Sequence, residues 1–364
     1  MPPVTLFRYI ATQSLLGVGG LFIILFSLIV LIDLIENLRF AGKFADGSFA
    51  LAAQLTVLRA PSLSQAFLPF TFLFGSIWMF NQLNRRSEIS VMRSAGLSVW
   101  KLLGPAALIA ALAGLFVVTV ADPLAARMMS FAEQLTDRKS GAEKSLISVF
   151  DDGIWLRQRD AEMQLIINAR EFDTEISALK KVSVWRFGPE SQFYERIDAD
   201  EAHLSGRTIE LHDAQLKSVT EQSHRNSPLY AIPTALTPDD LTERVASPET
   251  LSIWALPKFI LLAEAAGLPT TRYNIRFHDL CSTPLKLLAM VLIAAMFSVR
   301  PTRMGGVLQL IGLSIAAGFT LYILSEISTA LGESGTVPVA LSAWTPALVA
   351  TLVAVTGLLH LEDG

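Results

Sequence analysis

Cysteine is nearly absent: Cys281 stands alone among 364 residues, which excludes an intrachain disulfide framework and any zinc site built on several thiolates. It lies in an apolar stretch and reads as a packing residue. The formal net charge is only -4 and no run of five basic residues occurs, so a nucleic-acid interface lacks its electrostatic footing. His203, His212, His224, His278 and His360 are scattered without metal-ligand spacing. Neither a G-x-S-x-G elbow nor a G-x-x-x-x-G-K-[ST] loop is present. No catalytic residue, metal or bound cofactor is therefore expected, and ATP-driven work would need a separate ATPase subunit. No lipidation motif is found.

What the chain has instead is apolar length. Hydrophobic residues make up 52% and charged residues 17%, and the apolar ones gather in runs near the roughly 20 residues that cross a bilayer. Six spans are read, at about 12–36, 57–83, 99–121, 277–299, 305–327 and 338–360. The first follows Arg8 but has no cleavage site before Asp33 and Glu36, so it is expected to remain as a membrane helix. The second holds Pro61, Ser62, Ser64, Gln65 and Pro69, tolerated at that depth where protein or an aqueous cavity meets the backbone. The fourth must begin near Phe277 to be long enough, which places Lys286 inside the membrane.

Between spans three and four lies a polar insert with short β-rich runs, 146–150, 153–157, 164–167, 182–187, 208–211 and 215–219, at the intervals of a β-sandwich or open jelly roll. Ser247-Pro248-Glu249 is expected to start a helix that runs towards Gly267 and back to the membrane. The expected fold is thus a six-helix membrane protein with an inserted extracytoplasmic all-β domain. Its parts are 1–125, 126–268 and 269–364. Short loops on one side hold Arg8, Arg85, Arg86, Arg93, Lys101, Arg300 and Arg303, against Arg39, Lys43 and Arg59 on the other. That bias predicts cytoplasmic termini and an insert outside the cytoplasm.

Residues 84–96 come after span two and read as a short helix, with Leu83, Ile89 and Met92 on an apolar strip and Arg85, Arg86, Glu88 and Arg93 elsewhere. An apolar ridge with charges for register suits docking in a partner's groove; an interfacial loop held by anionic lipid headgroups fits the same amphipathicity.

These residues also carry a resemblance. RSEISVMRSAG at 86–96, DGIWLR at 152–157, LTPDDL at 236–241, AAGLPTTRY at 265–273, Pro284 in span four and RPTRMGG at 300–306 together resemble the inner-membrane permeases for lipopolysaccharide export, LptF and LptG. Arg272-Tyr273 and the pattern downstream of it sit nearer the LptG branch. The resemblance runs over nearly the whole chain. It implies a permease subunit in the cell inner membrane, paired with an LptF-type sister and an LptB-type ATPase dimer. Such a device draws lipopolysaccharide from the membrane into a cavity and passes it to periplasmic jelly rolls that continue into LptC- and LptA-type bridge proteins. The segment around Glu88 would be the coupling helix, with Glu88 its acidic contact to the LptB-type ATPase and Arg85, Arg86, Met92 and Arg93 beside it.

Withdrawing acyl chains into water costs about 0.8 kcal/mol per CH₂, so a transporter of this kind needs greasy walls. Phe67, Phe70, Phe72, Phe74 and Phe319 are candidates, with lipid-facing or packing roles as the alternative. Arg39, Lys43, Arg127 and Lys286 are candidates for the anionic headgroup. Lys286 carries a second reading as a structural pair, for instance with Glu326. The chain departs from the family in having Asp33 where a lysine is implied, and Ser130 and Glu133 where basic residues are implied. Two other functions fit the layout: a membrane subunit that transmits motion to an outer domain without passing substrate, and an anchor that recruits periplasmic partners.

Overall fold

The computed structural model describes residues 4–43, 48–140, 146–150, 153–159, 164–173, 178–188, 192–205, 208–218, 224–234, 247–298 and 307–363. Residues 236–241 and 300–306, which carry two of the family-like motifs, lie outside them. Two compact units form, Met1–Met129 with Ile275–Gly364, and Ser130–Asn274.

The first unit is helical. Its elements are α1 (Val4–Ala41), α2 (Phe49–Arg85), the short α3 (Glu88–Ser94) and α4 (Val99–Phe116). One π turn (Val117–Ala121) carries α4 into α5 (Asp122–Ser140). After α6 (Leu256–Ala265), which belongs to the second unit, come α7 (Thr271–Ser298), α8 (Val307–Glu333) and α9 (Val339–Asp363). Among the described residues, six helices are long and apolar enough to cross a membrane. At 38 residues, α1 runs about 57 Å and overshoots a hydrocarbon core of about 30 Å. Phe72, Leu73, Phe80, Leu83, Leu103, Leu287 and Ala294 form the central core where α2, α4 and α7 meet.

Small residues set the closest approaches, as expected where apolar burial alone gives helices little reason to associate. A Cβ on Gly75 would sit 2.7 Å from the Val18 Cα, and one on Gly17 would sit 2.7 Å from the Gly75 carbonyl oxygen. Ser14 Oγ donates to Met79 Sδ at 2.9 Å along the same seam. Gly114 of α4 likewise meets Pro284 of α7, where a Cβ would be 2.4 Å from the proline Cα.

Among the described residues the second unit holds seven strands, β1 (Leu146–Phe150), β2 (Gly153–Arg159), β3 (Gln164–Asp173), β4 (Ala178–Phe187), β5 (Phe193–Ser205), β6 (Thr208–Ser218) and β7 (His224–Pro233). They pair antiparallel in sequence order as one sheet. A crease crosses it. The ladders skip Arg170 and Lys181 between β3 and β4, and Asp213 and Pro228 between β6 and β7. Lys181 and Asp213 have positive φ, 52° and 53°. Side-chain alternation changes phase there: β3 buries Leu165, Ile167 and Ala169 and then Phe172, and β5 buries Ile197 and Ala199 and then Ala202. One face therefore stays apolar on both sides of the bend.

Two hydrogen bonds show how far the sheet curls. Arg186 of β4 donates to the Tyr230 hydroxyl of β7 at 3.1 Å, although strand spacing and register would put these residues about 27 Å apart on a flat sheet. Thr234, just past β7, donates to Gln158 of β2 at 2.7 Å, and both are buried. The expected jelly-roll insert is thus a single creased sheet doubled over its own apolar face. β5 and β7 were not expected from the sequence, and β6 joins two runs read as separate strands. The return helix begins at Leu256, after a 3₁₀ turn at Pro248–Thr250: Pro257 at its N-terminal turn suits a helix start, since the missing N–H would have no partner there.

On the outer face Asp198 accepts from Ser183 (2.7 Å), Arg196 (2.8 Å) and Lys217 (2.9 Å), and Arg196 lies 5.3 Å over the Trp185 ring. Partial burial pushes the Asp198 carboxyl up, but the three donors and the Arg196 charge outweigh it and hold the group below its ordinary value. A carboxylate depressed in the fold adds stability above its unfolded value of about 4 and loses it as pH falls through the folded value. Asp198→Asn should therefore melt earlier at neutral pH and lose less stability than the parent on acidification; parallel pH slopes in scanning calorimetry would refute this. In the helical unit, Gly75→Leu should cost about 1–3 kcal/mol or more through overpacking against α1, read as a lower thermal midpoint in detergent.

Candidate functional site

α2 ends at Arg85, and Ser87 turns the chain in the left-handed region (φ 58°) before α3. Gly96, at φ 80°, releases α3 towards the Ser98 N-cap of α4. A separate helix of seven residues results. Leu83 and Ile89 are buried and Met92 packs against the same core, so the apolar strip read as a docking ridge is consumed by the chain's own interior. What α3 and its flanks present outward is Arg85, Arg86, Ser90, Val91 and Ser94, with Arg93 half-buried. Glu88 faces inward: the Tyr9 hydroxyl of α1 donates to it at 2.8 Å, and Arg86 lies 3.9 Å away. Asn84 Nδ2 reaches the Ser298 carbonyl of α7 at 3.5 Å. The elbow is thereby tied to α1 and to the last turn of α7.

The candidate headgroup cations differ in setting. Arg39, Lys43 and Arg127 are exposed. Lys286 pairs with Asp279 one face along α7, its side chain only 16% exposed. Its structural partner is therefore Asp279 and not Glu326.

Two buried polar clusters in this unit were not anticipated. In the first, Asn37 Nδ2 donates to Asp33 (2.7 Å) and Thr56 (2.9 Å), while Arg59 of α2 lies 3.7 Å from Asp33. Asp33, Asn37 and Thr56 are almost fully buried. In the second, Arg276 of α7 binds Asp122 at 3.0 Å, with Asp122 1% exposed. Asp33 and Asn37 are neighbours four apart on α1, but no local spacing announces their ties to Thr56 and Arg59 of α2 or the Arg276–Asp122 pair, since these join separate helices; a charge inside an apolar run was the available signal.

Among the aromatic candidates Phe70 is central, stacking with Phe74 (6.2 Å) and meeting Phe319 (6.3 Å) and Tyr322 (5.1 Å) of α8. Phe67 and Phe319 are 40% and 53% exposed, but Phe72 is buried in the core and so cannot line an open wall. Tyr322 is the member that the sequence reading missed. Among the described residues no group of three or more His, Cys, Asp or Glu side chains is placed to hold a metal ion.

Comparison with known proteins gives a match over residues 8–360 to the family model described as Lipopolysaccharide export system permease LptF/LptG. The chain is 26% identical over 352 residues to the lipopolysaccharide export system permease protein LptG of Haemophilus influenzae, covering 92% of this chain and 91% of that protein. It is 25% identical over 341 residues to LptG of Escherichia coli K12, covering 88% of each.

Removing Arg276 would take the paired guanidinium away from the buried Asp122 carboxylate. Arg276→Ala is expected to destabilise by about 3–5 kcal/mol, with Asp122→Asn recovering part of it; thermal unfolding of the single and double variants in detergent checks both.

Proposed function

Since the chain belongs to the lipopolysaccharide export system permease family LptF/LptG, we propose that it is the LptG-type permease subunit of an ABC transporter that extracts lipopolysaccharide from the inner membrane. It works beside an LptF-type sister and takes its power from an LptB-type ATPase dimer, which uses the ATP. LptC- and LptA-type proteins receive the substrate. Both termini and α3 face the cytoplasm and the creased sheet faces the periplasm, as the distribution of basic residues over short loops favours.

The observation that carries this reading is the Tyr9–Glu88 bond together with the burial of Ile89. A push on the exposed face of α3 is delivered to α1 through a short hydrogen bond and a packed side chain, without first deforming a loop. α1 in turn exposes a long apolar face that includes Leu16, Ile23, Ile24, Leu28, Leu31 and Ile35. Arg85, Arg86 and Arg93 supply positive charge for an acidic groove on the ATPase, with Val91 as the apolar contribution and Glu88 as the internal strut.

For the substrate, Phe67, Phe70, Phe74 and Phe319 make the apolar wall, and Tyr322 adds a hydroxyl to it. Phe72 takes no part because it faces the core. The exposed Arg39, Lys43 and Arg127 are the cations offered to the anionic headgroup. Lys286 contributes less, since Asp279 already neutralises it.

Glu88→Lys should cut lipopolysaccharide release to a periplasmic acceptor by roughly tenfold or more, the scale of a lost charge-assisted bond, while a copurified ATPase still hydrolyses ATP. Normal release by that variant, or ATP hydrolysis by this chain alone in nanodiscs, would sink the proposal. Crosslinking of lipopolysaccharide to α1 and α8 separates this reading from a subunit that only transmits motion.

A further inference from the structure

α6 buries Leu256, Ile260 and Ala263, and the Phe172 amide of β3 donates to the Ala266 carbonyl just past its end at 2.8 Å. That accounts for one face. On the opposite face Leu261 is 68% exposed, and Trp254, one turn before the helix proper, is 67% exposed. Lys258 and Ala265, also exposed, fall on the same stripe, because residues 258, 261 and 265 lie within about 60° at a period of 3.6. A large aromatic and a leucine on the same outward stripe are unusual on a surface bathed only by water.

The path of the chain beyond α6 identifies the cover for this stripe. Phe259 of α6 packs on Tyr273, in the first turn of α7, with ring centroids 4.7 Å apart. Only residues 266–270 separate the two helices, and α7 is a candidate membrane span. The first two turns of α7 carry Arg272, Asn274 and His278, with Arg276 paired to Asp122, a composition suited to the headgroup layer, and apolar residues dominate after them. The Phe259–Tyr273 contact therefore fastens α6 at the depth where a bilayer changes from polar to apolar. Tryptophan is enriched at that depth, and a lysine can bury its stem while its ammonium stays among phosphates.

We propose that α6 is an interfacial helix, with Trp254 and Leu261 seated at the headgroup–acyl boundary of the bilayer that α7 crosses and Lys258 reaching its phosphates. The occupant is the lipid surface itself, not the transported molecule and not another protein. This rests on α7 being a span and not on the identity of the substrate or the energy source.

The test uses the full-length chain, with the subunits that accompany it from membranes, in nanodiscs of phosphatidylethanolamine and phosphatidylglycerol. In a Cys281→Ser background, single cysteines at Trp254, Leu261 and the exposed β7 residue Asn226 carry an NBD label. Labels at 254 and 261 should be quenched by shallow doxyl-labelled lipid and protected from aqueous iodide several-fold relative to 226, as a side chain inserted at the interface requires. Iodide quenching equal to that at 226 overturns the proposal, because the stripe is then free in water. Protection from both quenchers also overturns it, because a protein then covers the stripe. If the Trp254→Cys variant fails to assemble, Leu261→Cys decides alone. Neither readout depends on ATP or lipopolysaccharide, so a failure here is distinct from a failure of the transport reading.

Discussion

A charge held in apolar surroundings must be paired, and the helical unit is organised around that constraint. Asp33 is met by Asn37 and lies near Arg59, Asp122 is met by Arg276 and Lys286 by Asp279, while the partly exposed Glu88 accepts from Tyr9 beside Arg86. Apolar packing between helices in lipid has little register of its own, since the lipid chains are as apolar as leucine. Three of these polar groupings join different helices, α1 to α2, α4–α5 to α7, and α1 to α3. Each sets the rotation and height of one helix against another, and the Gly17–Gly75 and Gly114–Pro284 approaches then close the remaining gaps.

The same device bears on function. Glu88 is the acidic residue expected to meet a partner, yet its carboxylate is engaged inside the chain by Tyr9. Exposed arginines and Val91 are left for the outside. Force from an ATPase would thus enter at one surface and leave through a different contact, which is what a lever needs. The Asp33 cluster has a comparable logic: a carboxylate where the family resemblance implies a lysine is absorbed into a network with Asn37, Thr56 and Arg59, and so does not stand as bare negative charge facing an anionic lipid.

In the second unit the governing feature is geometric. A seven-stranded antiparallel meander would ordinarily leave one broad apolar face open, and α6 is too short to cover it. The crease through Lys181, Asp213 and Pro228 lets the sheet double over, and the switch in side-chain phase keeps apolar residues inward on both halves. The contacts Arg186–Tyr230 and Gln158–Thr234 hold the fold closed across strands far apart in the sheet order. This explains why β5 was illegible in the sequence. Its alternation breaks near Asp200, and Glu195, Asp198, Asp200 and Glu201 make it look like a polar loop. β7 was obscured in the same way by Pro228 and its polar start.

The amino-acid sequence by itself determined the six spans, the β-rich insert, the separate segment after the second span and the lack of a G-x-x-x-x-G-K-[ST] motif. Each of these depends on composition and short-range periodicity, which are local properties of the chain. Only the tertiary structure decided that the apolar side of α3 faces inward, that Phe72 is core while Phe70 gathers Phe319 and Tyr322, and that Asp122 belongs with Arg276. Those outcomes depend on which helix faces come together, and residues 154 positions apart carry no mutual signal until packing brings a buried charge and its counter-charge to one place.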